Sequence, residues 1–541
     1  MIAENLTAYF TNAMLENWDK KALCDYNNGA LTYGEVANQI LKIHELFKKQ
    51  NIEKGDKIAV IGKNSANWGT VYIATVTYGA VIVPLLQDFK PKDVYKLVNH
   101  SDAKLLFGSD FILKELKTEE FEQLHCIYKL DDFSLYHNFK DKNIQFPDKD
   151  FTPVPKGDFA IEEIPNEELA AILYTSGTSG RPKGVMLRHN SLAANLKYAR
   201  ANMPLTGGDR IVSFLPMAHS YGCAFEFLYP FSLGCTITFL GKIPAPNVVV
   251  KVFQEIQPRL ILTVPLVMEK IYKNKIKPVL EKPVVKFMIN IPGLKSLLYN
   301  KIRKSLEESF GDNFKEVVIG GAKLNREVEI FLHKIKFRFS IGYGMTECGP
   351  LISYDGWKTT KIHSAGKPID TLEVKIDSDN PAGKVGEILI KGENVMEGYY
   401  KDKEETEKTF TEDGWMRSGD LGLIDADNYL FIKGRNKSMI LGASGKNIYP
   451  EEIESKLSNK ELIGECLVAG RNNKIVAMVY PDHEKRIGQG IHKAKIPSIM
   501  DQYQQEVNED LPAYMHISKI QIREEEFEKT PKKSIKRYLY E

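Results

Sequence analysis

The sequence YTSGTSGRPKG, residues 174–184, decides how the rest of the chain is interpreted. The apolar residues 170–173 run straight into it and predict a buried strand. Its three glycines let the backbone approach an anion closely, and successive backbone N–H groups in such a turn form an anion-binding concavity. Four Ser and Thr hydroxyls, with Arg181 and Lys183, can bind phosphate oxygens. We therefore predict a loop that holds a polyphosphate rather than an ordinary polar loop, and its spacing is not that of a Walker loop.

The length and composition bound the class of protein. A chain of 541 residues predicts more than one domain, and 43% hydrophobic with 27% charged residues is typical of a globular protein. The net charge of +2 gives no field that would attract nucleic acid, so no nucleic-acid partner is expected. The six cysteines are scattered without a C-x-x-C pair, which argues against a zinc site or a disulfide framework and fits a reducing cytoplasm.

The sequence gives no expectation of a membrane span. The N-terminus has no basic region followed by an apolar core, so it does not resemble a signal peptide. Residues 64–87 carry no charge and residues 211–241 carry only Glu226, but glycines and prolines interrupt both stretches. Buried helix–turn–strand units explain them better than spanning helices. We therefore expect a cytoplasmic protein, with contact at the inner face of the membrane as the alternative.

Alternating helices and strands are predicted after the N-terminus. Residues 31–47 have a helical pattern, residues 57–62 form a short apolar strand, and a second helical pattern starts near Trp68. Residues 80–83 read as a strand that Pro84 ends, because proline cannot donate to a ladder. This alternation is typical of a doubly wound α/β fold.

Three later motifs carry groups suited to a nucleotide. In GYGMTE, residues 342–347, an aromatic ring between glycines can stack on a purine, and the hydroxyl and carboxylate after it suit an α-phosphate and Mg²⁺. In WMRSGDLG, residues 415–422, the aspartate in a tight turn can accept the ribose hydroxyls, although turn capping is the alternative. The third motif is KGRNKS, residues 433–438, which adds three further cations and a polar turn.

Taken together, these motifs resemble the adenylate-forming superfamily of acyl-CoA synthetases, luciferases and peptide-synthetase adenylation domains, and most of all the bacterial long-chain fatty acid–CoA ligases. The resemblance implies an α/β fold with a large N-terminal domain of several subdomains, built from layered sheets and helices, and a small mobile α+β lid domain at the C-terminus. It places the domains at residues 1–436 and 437–541, with Lys437 as the pivot between them.

The resemblance also implies the substrates and a set of site residues. ATP with Mg²⁺ would activate a fatty acid, and coenzyme A would be the co-substrate that accepts the acyl group. Thr175, Glu347, His219 and Lys533 are the expected catalytic residues, and Glu347 is the expected ligand of Mg²⁺. The residues expected to contact the nucleotide or the thiol are Thr175, Ser176, Gly177, Thr178, Ser179, Gly180 and Lys183 at the phosphates, Gly321, Ala322, Tyr343, Gly344, Met345 and Thr346 near adenine and the α-phosphate, Asp420 and Arg435 at the ribose, and Lys437 and Gly445 at the lid.

The segment SFLPMAHSYG, residues 213–222, resembles the L-P-x-A-H segment of the long-chain enzymes, in which the acyl pocket follows. A structural role for His219 is as well supported as a functional one. Four aromatic residues then occupy alternate positions and could line an apolar tunnel or belong to the core. They are Phe225, Phe227, Tyr229 and Phe231.

The C-terminal lysine motif departs from the family pattern P-K-T-x-x-G-K. Counting forward from Thr530 puts Ser534 at the catalytic position, whereas counting back from the basic pair at residues 536–537 puts Lys533 there. Because the chemistry needs a cation beside developing negative charge, Lys533 is the predicted residue and Lys532 the second choice.

The alternatives to a fatty acid–CoA ligase are another carboxylate–CoA ligase and three further classes of protein. An amino-acid adenylation domain would need an aspartate soon after His219, and residues 220–223 offer none. An acyl-AMP ligase that loads an acyl carrier protein is closer. A non-catalytic nucleotide or lipid sensor would fit the irregular lysine motif, but Glu347, Asp420 and Arg435 argue against it.

Residues 273–310 alternate basic and apolar side chains. A solvated helical face packed on the core is favoured, and contact with an anionic membrane surface is the alternative.

Overall fold

The computed structural model describes residues 1–140, 144–147, 151–176, 182–241, 246–441, 447–471, 474–530 and 535–540. The strand that leads into the phosphate loop lies in an eight-stranded sheet, in which five central strands run parallel and the strands at both edges are antiparallel. The strands, in spatial order, are Gly398–Tyr399, Pro182–Arg188, Leu169–Ser176, Val81–Leu85, Lys57–Ile61, Ala103–Gly108, Cys126–Lys129 and Leu135–Asn138. The predicted alternation of helix and strand is confirmed.

Local sequence signals fix the helices that cover this sheet. Helix Tyr33–Lys49 begins at a capping box, in which the Thr32 hydroxyl accepts from Glu35 N–H and the Glu35 carboxylate accepts from Thr32 N–H. Helix Ala66–Tyr78 begins at the Ser65 hydroxyl and ends at Gly79, whose φ of +84° needs a residue without a Cβ. Further helices of this half are Leu6–Glu16, Pro91–Ser101 and His189–Asn202.

The expectation that Pro84 ends the strand after Val83 is wrong, since the strand includes Pro84 and runs to Leu85. Val81 N–H donates to Asp56 O, toward the neighbouring strand Lys57–Ile61. Because successive residues point their N–H groups to opposite sides, the Pro84 nitrogen faces the other neighbour, with which only Ile82 is paired. The missing donor is therefore not needed, and proline is tolerated inside the strand.

Four smaller sheets complete the described portion of the N-terminal part. One contains Arg210–Ser213, Thr236–Phe239, Lys21–Asp25 and Gly29–Thr32. A parallel sheet contains Leu260–Thr263, Glu316–Ile319 and Phe339–Ile341, with helices Pro246–Ile256, Pro265–Ile271, Pro283–Ile289, Pro292–Phe310 and Arg326–Lys334 around it. Two antiparallel sheets follow, made of Tyr343–Gly344, Leu351–Tyr354 and Lys367–Pro368, and of Leu372–Asp377, Gly386–Gly392, Met416–Ile424 and Leu430–Arg435.

The C-terminal part is a small α+β unit, as predicted. Its three-stranded sheet contains Ile463–Arg471, Lys474–Pro481 and Ile517–Ile522, and a two-stranded ladder joins Ile440–Leu441 to Asn447–Ile448. Helix Pro450–Ser458 has proline at its first position and Glu451 and Glu452 in its first turn. The other helices are His483–Gly488 and Ile496–Glu509. The exact boundary at residue 437 stays a prediction.

The aromatic run after His219 belongs to the core. Residues 220–232 form one continuous helical stretch with a π-helical turn at Cys223–Leu228. Phe227 packs edge-on against Trp68 and Tyr72, and Phe231 packs against Tyr33. All four aromatic side chains are buried, so the structure supports the core interpretation over a tunnel lined by these rings.

No helix in the described ranges combines the length and the apolar composition that a bilayer span requires.

One buried carboxyl makes the stability of the fold depend on pH. Glu316, at the start of its strand, accepts from Tyr354 OH at 3.0 Å and from Trp357 N–H at 3.1 Å, and its burial raises the pKa of the carboxyl from 4.5 to about 7. The folded state therefore holds a proton that the unfolded chain has released between these two values. The contribution of this group to stability is fully present below pH 4.5 and is lost as the pH rises to about 7.

We predict that Glu316→Gln flattens this pH dependence, because the amide keeps the shape of the protonated carboxyl and does not titrate. The free energy of unfolding, measured by urea denaturation across this pH range, should fall for the parent and change less for the variant. A parallel decline in both proteins would contradict a protonated Glu316. Glu308→Gln is the control on the neighbouring helix, where the side chain is exposed.

Candidate active site

Two antiparallel strands deliver the phosphate loop to the edge of the large sheet. Thr175 lies directly opposite Lys183, and Ser176 lies opposite Pro182. The predicted residues between them, Gly177, Thr178, Ser179 and Gly180, lie outside the described residues. The structure therefore shows the two ends of the loop, one with the Thr175 hydroxyl and the other with the Lys183 ammonium.

An ion pair and an aromatic ring fix the position of Lys183. Its Nζ atom pairs with the carboxylate of Glu405 and lies 4.9 Å from the centre of the Tyr399 ring. The hydrogen bond from Lys183 is the main cause that lowers the pKa of Glu405, and the charge of Lys437 adds to it. The side chain of Lys183 is only 15% exposed, so its charge is held in a partly desolvated position beside the loop.

Tyr399 connects this cation to the predicted metal ligand. The Tyr399 hydroxyl donates to Glu347 Oε1 at 2.9 Å, and Met396 N–H donates to Glu347 O at 2.8 Å. Burial, followed by the Glu347 charge, raises the pKa of the Tyr399 phenol, which therefore stays a donor. The structure thus brings the predicted residues Lys183 and Glu347 to the two sides of one tyrosine.

Glu347 fits a magnesium ion that is shared with a nucleotide. Mg²⁺ is usually bound by one or two carboxylates together with substrate phosphates. Across the described ranges of the chain, no group of three or more His, Cys, Asp and Glu residues could form a metal site from protein alone. A single carboxylate near the phosphate loop is consistent with the shared arrangement.

The predicted ribose and adenine residues also meet. Tyr343 OH donates to Asp420 Oδ2 at 2.7 Å, and Arg435 Nε lies 3.3 Å from Asp420 Oδ1. Asp420 and Arg435 face each other across two antiparallel strands. Burial raises the pKa of Asp420, and the guanidinium of Arg435 opposes this. Asp420 N–H donates to Ser418 Oγ, so Ser418 closes the turn and the Asp420 carboxylate is left for the side chains around it.

Glycines form the edge of the site where the parallel strands end. Gly320 N–H donates to Thr263 O, and Gly342 N–H donates to Ile319 O. A Cβ atom at Gly320 would lie 3.0 Å from the Tyr221 ring, and Gly321 has a φ of +85°. Gly321 and Ala322 are exposed at this edge. Ligands of open α/β sheets bind beyond the carboxyl ends of the strands, which is where these residues lie.

The remaining predicted residues of the GYGMTE motif lie on the same edge. Gly344 pairs with Leu351 in a short antiparallel ladder, and Met345 N–H donates to Pro350 O. Thr346 starts a single turn of 3₁₀-helix and is buried. This turn carries Glu347 toward Tyr399.

His219 has a structural contact in its own turn, because Tyr221 N–H donates to His219 Nδ1 at 3.3 Å. Two side chains that the sequence did not indicate, the buried Glu226 and the half-buried Asn64, hold the segment before it. Glu226 Oε2 accepts from Phe214 N–H and Leu215 N–H, and burial raises the pKa of its carboxyl. Asn64 donates to Leu215 O and accepts from Met217 N–H.

Other residues of the site were also missed by the sequence analysis. Tyr399 and Glu405 gave no signal, since a two-residue strand and a short charged helix look like ordinary surface. Asn195 is fully buried and donates to Cys348 O at 3.0 Å while it accepts from Leu351 N–H at 2.9 Å. It ties helix His189–Asn202 to the turn that carries Glu347.

The C-terminal part contacts the N-terminal part through polar groups. Asn325 Nδ2 donates to Ser455 O at 3.0 Å, and Lys273 Nζ donates to Lys460 O at 3.2 Å and to Ile463 O at 3.1 Å. Lys437 lies in the 3₁₀ turn Asn436–Ser438. Gly445, Lys532 and Lys533 lie outside the described residues, so their predicted roles stay predictions.

The comparisons with known proteins agree with this fold. The chain matches the AMP-binding enzyme family over residues 10–400 and the AMP-binding enzyme C-terminal domain over residues 437–541, and it therefore belongs to the AMP-binding enzyme family. It is 27% identical to the long-chain-fatty-acid–CoA ligase FadD15 of Mycobacterium bovis over 81% of this chain and 75% of that one.

Two solved structures share the fold. One is the anthranilate CoA ligase AuaEII in complex with anthranoyl-AMP, with a TM-score of 0.78 and 20% identity over 99% of this chain and 96% of that one. The other is the o-succinylbenzoate CoA synthetase MenE of Bacillus subtilis with its acyl-adenylate, with a TM-score of 0.77 and 20% identity over 100% and 99%.

We predict that Tyr399→Phe weakens the binding of ATP with Mg²⁺, because the ring beside Lys183 is kept while the donor to Glu347 is lost. A hydrogen bond to a charged group contributes about 1.5–3 kcal/mol, so the Mg²⁺ concentration for half-maximal ATP binding should rise about tenfold or more. Tyr400→Phe is the matched control, because the Tyr400 hydroxyl donates to the distant carboxylate of Asp102. Equal binding by all three proteins in calorimetric titrations would contradict the role of Tyr399.

Proposed function

We propose that this chain is an ATP-dependent acid–thiol ligase that converts a fatty acid to acyl-AMP and then to its coenzyme A thioester. The observation that carries the proposal is the connection from Lys183 through Tyr399 to Glu347, at the edge where Tyr343, Asp420 and Arg435 also meet. This arrangement offers a cation and a carboxylate for a magnesium polyphosphate, and beside them a nucleoside site. Membership of the AMP-binding enzyme family supports the same chemistry.

In the first step, an oxygen of the fatty acid carboxylate attacks the α-phosphorus of ATP. The bond from that phosphorus to the bridging oxygen breaks, and pyrophosphate leaves with the electron pair. Thr175 and Lys183 would hold the β- and γ-phosphates, and Thr346 would donate to the α-phosphate. Mg²⁺, when bound at Glu347, would neutralise part of the phosphate charge. Lys533 would place a cation beside the carboxylate as negative charge develops.

In the second step, the sulfur of coenzyme A attacks the acyl carbonyl, and AMP leaves with the electron pair of the acyl–oxygen bond. We propose that the lid turns about Lys437 between the steps and brings the loop at Gly445 to the site. The contacts between lid and N-terminal part support such a motion, because they are polar: hydrogen bonds from Asn325 and Lys273 to backbone carbonyls, and an ion pair from Arg326 to Glu452.

The identity of the acid rests on the names of the relatives, which are fatty acid ligases at low identity. A panel of short-, medium- and long-chain acids, with aromatic acids included, should therefore be tested with coenzyme A and with an acyl carrier protein as acceptors. Thioester formed with long-chain acid and coenzyme A supports the proposal. Turnover only with aromatic acids would assign the protein to aromatic acids instead of fatty acids. Transfer only to the carrier protein would make that protein, and not coenzyme A, the acceptor.

We predict that Glu347→Gln lowers acid-dependent pyrophosphate release about a hundredfold or more, because one charge at the metal position is lost. Glu404→Gln is the matched control, since Glu404 is 81% exposed and lies next to Glu405. Circular dichroism should be unchanged in both variants. Release by Glu347→Gln at the parent rate under limiting Mg²⁺ would contradict the assignment of Glu347.

The lysine motif gives a prediction that separates the two half-reactions. Lys533→Ala should lower adenylation by orders of magnitude, at about 1.4 kcal/mol per tenfold, and should leave thioester formation from supplied acyl-AMP nearly unchanged. Lys532→Ala should be mild in both reactions. If Lys532→Ala shows the selective loss, Lys532 is the catalytic cation, and if neither variant loses adenylation, another residue supplies the charge.

A further inference from the structure

Exposed apolar side chains are concentrated on two consecutive helices, Pro283–Ile289 and Pro292–Phe310. Of the sixteen large apolar side chains that are exposed in the described ranges, five lie between residues 284 and 297. Val284 is 69% exposed, Phe287 67% and Leu297 66%. Single exposed apolar residues are ordinary, but a contiguous group of them marks an interaction surface. These side chains are absent from the described core clusters.

The longer helix has two opposite faces, which shows that the exposure is not caused by a poorly packed helix. Its inner face packs into the core around the parallel sheet and is made of Tyr299, Ile302, Leu306 and Phe310. Its outer face lies on the opposite side of the helix. The residues of that face are three or four positions apart, so they follow one line along the helix. This outer line contains Leu294, Leu297, Lys301 and Lys304. Together with Val284 and Phe287, it is called the outer face below.

The charge of this segment is uniform. Residues 282–304 contain six Lys and Arg residues and no Asp or Glu. Because the whole chain carries only +2 and the segment carries +6, the rest of the chain carries a net charge of −4. Within the described ranges none of these six cations forms an ion pair, whereas Lys277 and Glu307 on either side do so. The positive charge is therefore left for a partner outside the chain.

The exposed apolar side chains and the positive charge together indicate the chemistry of the partner. A second copy of the chain, docked symmetrically on this face, would bring the two basic segments 282–304 together, which is repulsive. A polyanion alone would use the cations and leave the apolar side chains in water. An anionic lipid surface satisfies both, because apolar side chains enter the boundary of the acyl chains while lysines bind the headgroups.

We propose that the outer face docks the protein on the surface of an anionic lipid bilayer. The helices of the segment follow the strand Leu260–Thr263, whose end contacts Gly320 at the edge of the site through a backbone hydrogen bond. A bilayer bound here would lie against the subdomain that contributes this edge. The inference goes beyond the proposed catalytic function and does not depend on it.

Sedimentation of the full chain with vesicles tests the proposal. Vesicles that contain phosphatidylglycerol should bind the parent, and vesicles of phosphatidylcholine alone should not. Lys301→Gln with Lys304→Gln should raise the lipid concentration for half-maximal binding about tenfold, and added salt should have a similar effect. Phe287→Ser with Leu297→Ser should weaken binding to a comparable extent.

Matched control pairs carry the same changes elsewhere on the surface. Lys384→Gln with Lys403→Gln removes two exposed lysines, and Phe111→Ser with Ile487→Ser removes two exposed apolar side chains. Both control proteins should bind like the parent, and all five proteins should release pyrophosphate from ATP at equal rates with a soluble acid.

Three results would overturn the proposal. The parent could stay in the supernatant with phosphatidylglycerol vesicles, or the controls could lose binding as much as the outer-face variants. Concentration-dependent dimerisation of the parent in sedimentation velocity, abolished by Phe287→Ser with Leu297→Ser, would assign the face to a second copy instead.

Discussion

The contact that the rest of the site depends on is the position of Tyr399 between Lys183 and Glu347. A loop with four hydroxyls and a cation, and a carboxylate in a short turn, are separate features in the sequence. The tyrosine ring lies beside the ammonium of Lys183 and its hydroxyl bonds to Glu347, so both charges keep a fixed separation. Glu405 completes the arrangement by pairing with Lys183. A bound phosphate would share Lys183 with the Glu405 carboxylate or would displace that carboxylate.

This arrangement is more important for geometry than for stability. Ion pairs that are partly exposed contribute little to the free energy of folding, and Glu405 is 30% exposed. The short strand Gly398–Tyr399, which pairs with Val185 and Met186, is what brings the tyrosine to the phosphate loop. The value of the ion pair therefore lies in a cation that is already oriented before a nucleotide binds, which lowers the reorganisation that catalysis requires.

Much of the fold was predictable because its signals are local. The alternation of helix and strand in the first hundred residues, the capping box at Thr32 and the proline at the start of helix Pro450–Ser458 are all short-range patterns. The motifs also indicated which polar residues would share one site, as the contact of Tyr343 with Asp420 illustrates. Pro84 was misjudged because the outcome depends on which side of the strand its nitrogen faces.

The residues that join the motifs could not be found in this way. Glu405 lies 222 positions from Lys183, and Asn195 lies 156 positions from Leu351, so only the folded chain reveals these contacts. Glu226 looked like one acid in an apolar stretch, and its role in holding Phe214 and Leu215 depends on the π-helical turn that carries it. The exposure of Phe287 and Leu297 likewise depends on which helix face the core covers.

The central claim is that the carboxylate of the acid attacks the α-phosphate of ATP at this site. The most direct test is to supply a fatty acid whose carboxylate carries heavy oxygen, together with ATP, Mg²⁺ and coenzyme A, and to measure the mass of the nucleotide product. The account predicts AMP that contains one heavy oxygen atom, because that oxygen stays on phosphorus when the thiol displaces the nucleotide. Unlabelled AMP, or release of ADP, would contradict it.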